Sequence, residues 1–355
     1  MLNNCGGLPA RTDWARLDGC RHHPSSRHAD ASSRPEQPHP PDGQAAFGVY
    51  QGIVPELSWR RLALAPMQRL FRRLHHKRWQ YAALAHDDFL VAAAVVDVGW
   101  NGTAFAYLFD RRQGKVVAAA SANGLPGIGT RVADRAFGDA RFRLPGKRFA
   151  FERDGETLRL SVASRELSLE AEIDLCAMPP VLAVVAPANY LAHSTHKSGG
   201  LPARGEARCA AGRYDLSAAV ASLDYSNGLL ARETRWRWAS AHGAGIGFNL
   251  QQGYMGSEEN AVWLDGRLWR VGAVQFDYQA ENPLAPWRIR SDNGMVDLVF
   301  TPEGARREDK NLIVAASRYV QPVGRFDGEL TDPDSGARHP VRALAGVTED
   351  HVSRW

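Results

Sequence analysis

From Arg78 onward the chain alternates apolar and polar residues with period two, broken by turn residues about every ten positions, the pattern of half-buried strands. Trp79-Gln80-Tyr81-Ala82-Ala83-Leu84 is followed by a turn at His86-Asp87-Asp88, then by the apolar run Phe89 to Val98. A second turn at Gly99-Trp100-Asn101-Gly102 leads into Thr103 to Phe109 and Lys115 to Ala120, which predicts a four-strand antiparallel meander. Further on, Asp154-Gly155 joins Arg148–Arg153 to Thr157–Val162, Asp265-Gly266 joins Ala261–Leu264 to Leu268–Phe276, and Asn293-Gly294 joins Trp287–Arg290 to Met295–Phe300. Asx-Gly pairs between alternating runs signal two-residue hairpins, because a type I′ turn needs φ > 0 at both central positions. Gly243, Gly245 and Gly247 alternate within one run, which reads either as close approach of a ligand or backbone, or as a barrel corner.

The period changes before Arg78. Trp59 to His76 predicts a helix: Pro66 suits a first helical position, and Met67, Leu70, Phe71 and Leu74 follow at i, i+3, i+4 and i+7. Arg69, Arg72, Arg73, Lys77 and Arg78 surround that stripe, so the helix either docks on the β body with a solvated cationic face or contacts an anionic membrane. Residues 1–45 carry Pro, Ser, His and Gly with almost no apolar periodicity and read as a disordered tail. The prolines at Pro179-Pro180 and Pro187 divide the β region. The expected fold class is therefore all-β: two antiparallel barrels side by side, with residues 46–185 forming the first half with its leading helix and residues 186–355 the second.

Composition narrows the class. An apolar fraction of 44% and a charged fraction of 23% over 355 residues describe a soluble globular protein. Ten Trp and 33 Gly lean towards strands and tight turns. Lys and Arg (43) exceed Asp and Glu (39) by only four, too little for a global nucleic-acid footprint, and no nucleic-acid partner is expected. Cys5, Cys20, Cys176 and Cys209 form no C-x-x-C pair, so neither a zinc site nor a disulfide framework is indicated. No apolar run is long enough to span a bilayer, and the N-terminus lacks a charged segment followed by an apolar one, so a cytoplasmic location is expected. P-loop, G-x-S-x-G and H-E-x-x-H signatures are absent, and no motif calls for an organic cofactor or a metal.

The densest cluster of polar residues, aromatics and glycines runs from His193 to Asn260. It holds His193-Ser194-Thr195-His196-Lys197, Ala203-Arg204-Gly205-Glu206, Ala221-Ser222-Leu223-Asp224, Trp236-Arg237-Trp238-Ala239-Ser240, Gly245-Ile246-Gly247-Phe248-Asn249-Leu250 and Ser257-Glu258-Glu259-Asn260. With Lys77-Arg78-Trp79-Gln80-Tyr81 before it and Gly324-Arg325-Phe326-Asp327-Gly328-Glu329-Leu330 after it, this layout resembles the DUF2804 family, whose function is unassigned. The resemblance implies paired lipocalin-like (calycin-type) barrels, an arrangement also found in carotenoid hydratases and some natural-product cyclases.

Within that cluster the candidate chemistry is acid–base. On a strand, His193 and Thr195 share one face and Ser194 and His196 the other, which argues against joint metal ligation by the histidines. His196 is a candidate proton acceptor, or a structural histidine. Lys197 and Asp224 match the family's motif positions; Lys197 could neutralise an acidic group or pair with Asp224 or Glu206, and Asp224 could cap a turn. Asp97, in an apolar strand, needs a partner such as Arg78 or Lys77. Trp236 and Trp238 share one strand face and suit either a core or a wall that stabilises developing positive charge. Glu259 is the best candidate proton donor, since an apolar pocket would raise its pKa. Asn249 and Asn260 could orient a ligand at a barrel mouth.

Two principal functions fit. A barrel cavity could bind an apolar small molecule such as a lipid or isoprenoid. Alternatively, Glu259 or Asp224 could drive a cofactor-independent hydration, isomerisation or cyclisation on such a substrate. A structural or protein-interaction role without a cavity is the third reading.

Overall fold

The alternating runs pair as antiparallel ladders throughout. The computed structural model describes residues 44–124, 128–188, 191–311 and 316–354, so the expected tail, with Cys5 and Cys20, lies outside the described residues apart from its last two positions. The first sheet runs, in spatial order, Lys115–Gly124, Gly102–Asp110, Phe89–Asp97, His76–Ala85, Val220–Leu229, Leu191–Cys209, Leu167–Asp174, Thr157–Ala163, Lys147–Asp154, Ala140–Leu144 and Thr130–Val132. Gly48–Gln51 and Leu182–Ala188 extend it beside Leu191–Cys209, and Gly212–Asp215 pairs there too. The second sheet runs Arg267–Arg270, Ala261–Leu264, Ile246–Gly253, Glu233–Gly243, Arg338–Arg354, Ala316–Thr331, Val296–Asn311, Trp287–Ser291 and Val274–Asp277. Each sheet curls into a nearly closed barrel, as the all-β expectation requires.

The expected meander forms, and Asp265-Gly266 occupies its hairpin with φ of 49° and 78° between the paired Leu264 and Arg267. At Asp154-Gly155 the turn lies one residue further on, because Asp154 still pairs with Thr157. The nineteen-residue strand Leu191–Cys209 bends at a bulge between Gly199 and Leu201. The bend lets its first stretch pair with Leu182–Ala188 and its last with Leu167–Asp174. Gly205 permits this pairing, since it holds φ of 129° and a Cβ there would lie 2.1 Å from the Glu170 carbonyl oxygen.

Several expectations change. The division between sheets falls between Leu229 and Glu233, not between 185 and 186: Leu191–Cys209 and Val220–Leu229 lie at the centre of the first sheet. Pro179-Pro180 lies in the connection before Leu182; missing N–H donors end a ladder without ending a folding unit. The helix is shorter than expected, Pro66–His75, with Pro66 in its first turn and Gln68 Oε1 accepting from the Ala65 N–H at 2.9 Å. Its apolar stripe is exposed rather than docked. Lys77 and Arg78 do not belong to a free cationic face: Lys77 is buried and donates to the Leu74 and Val98 carbonyls, and Arg78 pairs with Asp97 at 2.6 Å and Asp134 at 3.1 Å. The side chain of Arg73 lies outside the described residues. Among the described residues no helix is long and apolar enough to cross a membrane. Among the described residues, Cys209 is a free cysteine.

Each sheet fills its own interior. Ala82, Leu84, Val91, Leu108, Phe149 and Leu160 belong to the core of the first, and Phe248, Leu250, Trp287, Phe300 and Phe326 to that of the second. The alternate residues of the same strands face outward and meet between the sheets, where Tyr81, Ala83, Leu90 and Tyr107 pack against Trp238, Val323 and Val347. His242 is buried beside Trp263 at 5.1 Å, over two glycines. A Cβ on Gly199 or Gly247 would fall 2.3 Å or 2.2 Å from its ring. Of the alternating glycines, Gly247 therefore serves this ring and Gly245, with φ of 70°, a hairpin turn. Gly247→Ala should destabilise by about 1–3 kcal/mol through overpacking, and His242→Ala in the same chain should recover part of the loss. Urea unfolding of the two single variants and the double variant checks this; strictly additive losses would exclude the contact.

Candidate functional site

The antiparallel register sets Lys197 of Leu191–Cys209 directly opposite Asp224 of Val220–Leu229. Period two puts His193 and Lys197 on the outward face, and it sends Leu223 and Tyr225 to the inward side of Asp224's strand. Lys197 Nζ donates to Asp224 Oδ2 at 2.5 Å and stands 3.4 Å from Glu259 Oε2 of the second sheet's Gly253–Asn260 connection. Lys197 and Glu259 are each only 5% exposed. Asn249 Nδ2 donates to the Glu259 carbonyl at 2.8 Å, and Asn260 Oδ1 accepts from the Gln251 N–H at 2.6 Å. The two amides thus hold the connection that presents Glu259.

The triad opens on a cavity of about 440 Å³ between the sheets, walled by Trp79, Tyr81, Phe105, Trp236, Trp238 and Tyr319. It was expected inside a barrel; the outward faces of the two sheets enclose it instead. Clefts between packed units are a preferred place for small-molecule sites. Tyr81 meets Trp238 edge-to-face at 6.0 Å, and Trp238 Nε1 donates to Asn249 Oδ1 at 2.8 Å, which fixes the indole.

Burial pushes the Glu259 carboxyl above the usual carboxylate range; Lys197 opposes this and the Asp224 charge adds to it. Desolvation alone would lower the Lys197 ammonium, but the charges of Asp224 and Glu259 outweigh it and hold it above its ordinary value. One cation faces two carboxylates, and the shorter contact goes to Asp224. Of the two carboxyls, Glu259 is the one whose proton affinity burial raises. Asp224 Oδ1 has no hydrogen-bond partner among the described residues. His193 also lines the cavity; burial and then Lys197 push its pKa down to about 3, so it is neutral, with Nδ1 at 3.2 Å from Met255 Sδ.

The candidates from sequence separate clearly. Glu259, Asp224, Lys197, Trp236 and Trp238 come together on the cavity. His196 does not: it faces the other side of its strand, where its Nε2 accepts from the Val54 N–H at 3.1 Å beside Tyr225. Asp97 is the structural partner of Arg78 and stands off the cavity. Asn249 and Asn260 support the site without lining it. Sequence reasoning missed Glu349, which accepts from Trp236 Nε1 at 2.9 Å and from Gln321 Nε2 at 2.8 Å on the cavity wall. It also missed Arg306, whose guanidinium lies 4.2 Å from the Phe105 ring centre. Both sit in regular strand alternation far along the chain, where only pairing tells which face is which. Among the described residues no group of three or more His, Cys, Asp or Glu is placed to hold a metal ion.

Two curled sheets enclosing a junction cavity define a paired-barrel protein of the lipocalin-like kind. The chain belongs to the DUF2804 family, a domain of unknown function whose model matches residues 32–355. No curated protein matches it by sequence. Among solved structures it is similar to a protein provisionally named AttH from Nitrosomonas europaea, with TM-score 0.50 and 14% identity over 81% of this chain and 96% of that one. It is also similar to kievitone hydratase from Nectria haematococca, with TM-score 0.50 and 9% identity over 79% of this chain and 88% of that one. At these identities the likeness is one of fold.

The triad predicts unequal variants. Lys197→Met leaves buried carboxylates without their cation and should cost about 3–5 kcal/mol, whereas Glu259→Gln should cost less than about 1 kcal/mol because the native side chain is readily neutral. Equal losses in denaturant unfolding would show Glu259 to be a fixed charge.

His193, His196 and His242 all have folded pKa values pushed down to about 3, chiefly by burial. The unfolded chain binds these protons from about pH 6.5 downward, so stability is intact above that pH and falls below it. The loss should be up to about 1.4 kcal/mol per pH unit for each histidine. Urea unfolding at pH 7 and pH 5 measures the loss, and His242→Asn should remove about a third of it.

Proposed function

We propose that the junction cavity binds an apolar small molecule of the lipid or isoprenoid class and that Glu259 transfers a proton to it, as a cofactor-independent hydratase or isomerase. The observation that carries this reading is a buried carboxylic acid, raised by desolvation, set against the Lys197–Asp224 pair on a cavity with aromatic walls. An apolar wall selects the substrate by area removed from water. The Glu259 proton adds to one carbon of a double bond, and the positive charge left on the other carbon faces the rings of Trp238 and Trp236. Water then adds to that carbon and returns a proton to the Glu259 carboxylate, or a neighbouring C–H bond breaks, its electron pair forming the new double bond and its proton passing to the same carboxylate, to give the isomer. Asp224 keeps Lys197 charged and in place, which limits the negative charge the site accumulates when Glu259 is ionised. That one structural neighbour is named a hydratase agrees with this reading, although a shared fold does not by itself transfer an activity.

The test begins with extraction of the apolar compound that co-purifies with the protein and its incubation with fresh protein in D₂O. The expected product carries solvent deuterium, with or without the added mass of water. Glu259→Gln should lower this incorporation by at least about a hundredfold while retaining binding. Full incorporation by Glu259→Gln would reject the role of Glu259. Tight binding with no incorporation by the native chain would reject catalysis in favour of carriage. Because the acid must be protonated, the rate should fall as pH rises through the raised Glu259 pKa.

A further inference from the structure

Helix Pro66–His75 turns its apolar stripe to solvent: Met67 is 64% exposed, Leu70 72%, Phe71 43% and Leu74 51%. A ten-residue helix is marginal by itself and is normally stabilised by burying such a stripe. Here the helix is tied to the body at its C-terminal end, where His75 Nδ1 and the Leu230 carbonyl oxygen lie 2.9 Å apart and the Leu230 N–H donates to the His75 carbonyl. Arg60, Arg61 and Arg69 are exposed around it, Arg72 is half-buried, and the helix sequence contains no carboxylate. Beside it lies a cleft of about 400 Å³, lined by Phe71, Leu74, Trp100, Leu230 and their neighbours. Trp100 also lines the junction cavity, together with Val98 and Asn101.

We infer that this helix docks on an anionic lipid bilayer and that the cleft beside Trp100 is the passage by which an apolar ligand moves between the bilayer and the cavity. The helix spans about 15 Å, half of a bilayer's hydrocarbon core, so it lies in the surface with its apolar side chains among the acyl chains and its arginines at the phosphates. The absence of acidic side chains on the helix favours an anionic headgroup over a zwitterionic one. The passage rests on the proposed apolar ligand; the docking does not.

Flotation of the full chain with vesicles tests the docking. The native protein should float with phosphatidylcholine vesicles containing about 30% phosphatidylglycerol and bind pure phosphatidylcholine at least about tenfold more weakly. L70D/L74D and R69E/R72E, all at solvent-accessible positions, should melt like the native chain and each lose at least about tenfold in vesicle affinity. No flotation with anionic vesicles, as would follow if residues 1–43 or a second copy covered the stripe, overturns the proposal. So does flotation unchanged by L70D/L74D. Uptake of cis-parinaric acid, followed by energy transfer from tryptophan, tests the passage. M67D/L70D, at two stripe positions that do not line the cleft, should slow uptake from anionic vesicles by at least about tenfold and leave uptake from free solution unchanged. Equal rates from vesicles overturn the passage. No uptake from either source overturns the passage together with the apolar-ligand reading, and flotation then decides the docking independently.

Discussion

A buried ammonium at Lys197 needs compensating charge, and the two sheets meet where that charge is supplied. Removing an ammonium from water costs several kcal/mol unless opposite charge is placed within contact distance. Asp224 supplies it across the ladder and Glu259 supplies it from the second sheet. Two carboxylates face this one cation, and desolvation raises the proton affinity of Glu259. The interaction that ties the sheets together also produces a titratable acid against an apolar wall.

The position of the cavity follows from how the sheets are filled. The central strands of the first sheet are buried on both faces, which is why Phe89–Asp97 reads as a near-continuous apolar run. One face completes a packed interior around Ala82, Leu84 and Val91. The other meets the second sheet, where Tyr81 and Tyr107 pack with Trp238 and the remaining space forms the cavity.

The lining is chemically divided. Around Lys197 the groups are ionisable and buried, whereas Glu349 is held by hydrogen bonds from Trp236 and Gln321 on the wall. The indole of Trp238 links cavity to support, because its partner Asn249 also holds the Glu259 carbonyl. Changes at Asn249 reach the site through these two contacts rather than through a ligand.

Local chemistry in the sequence determined the strand pattern, the hairpin at Asp265-Gly266, the proline-led helix and the family. Each depends on a few neighbouring residues and on backbone preferences that act over short range. It also marked Glu259, Asp224, Lys197, Trp236 and Trp238, because carboxylates and indoles beside apolar strands are unusual wherever they fall. Only the tertiary structure decided that His193, not His196, faces the cavity, since a strand's period separates two faces without saying which one is covered. It moved the division between sheets to residues 229–233, because strand partners are chosen by long-range pairing that proline positions do not report. It withdrew Lys77 and Arg78 from the helix surface, and it placed the cavity between the barrels, since the meeting of two outward faces is a property of neither strand alone.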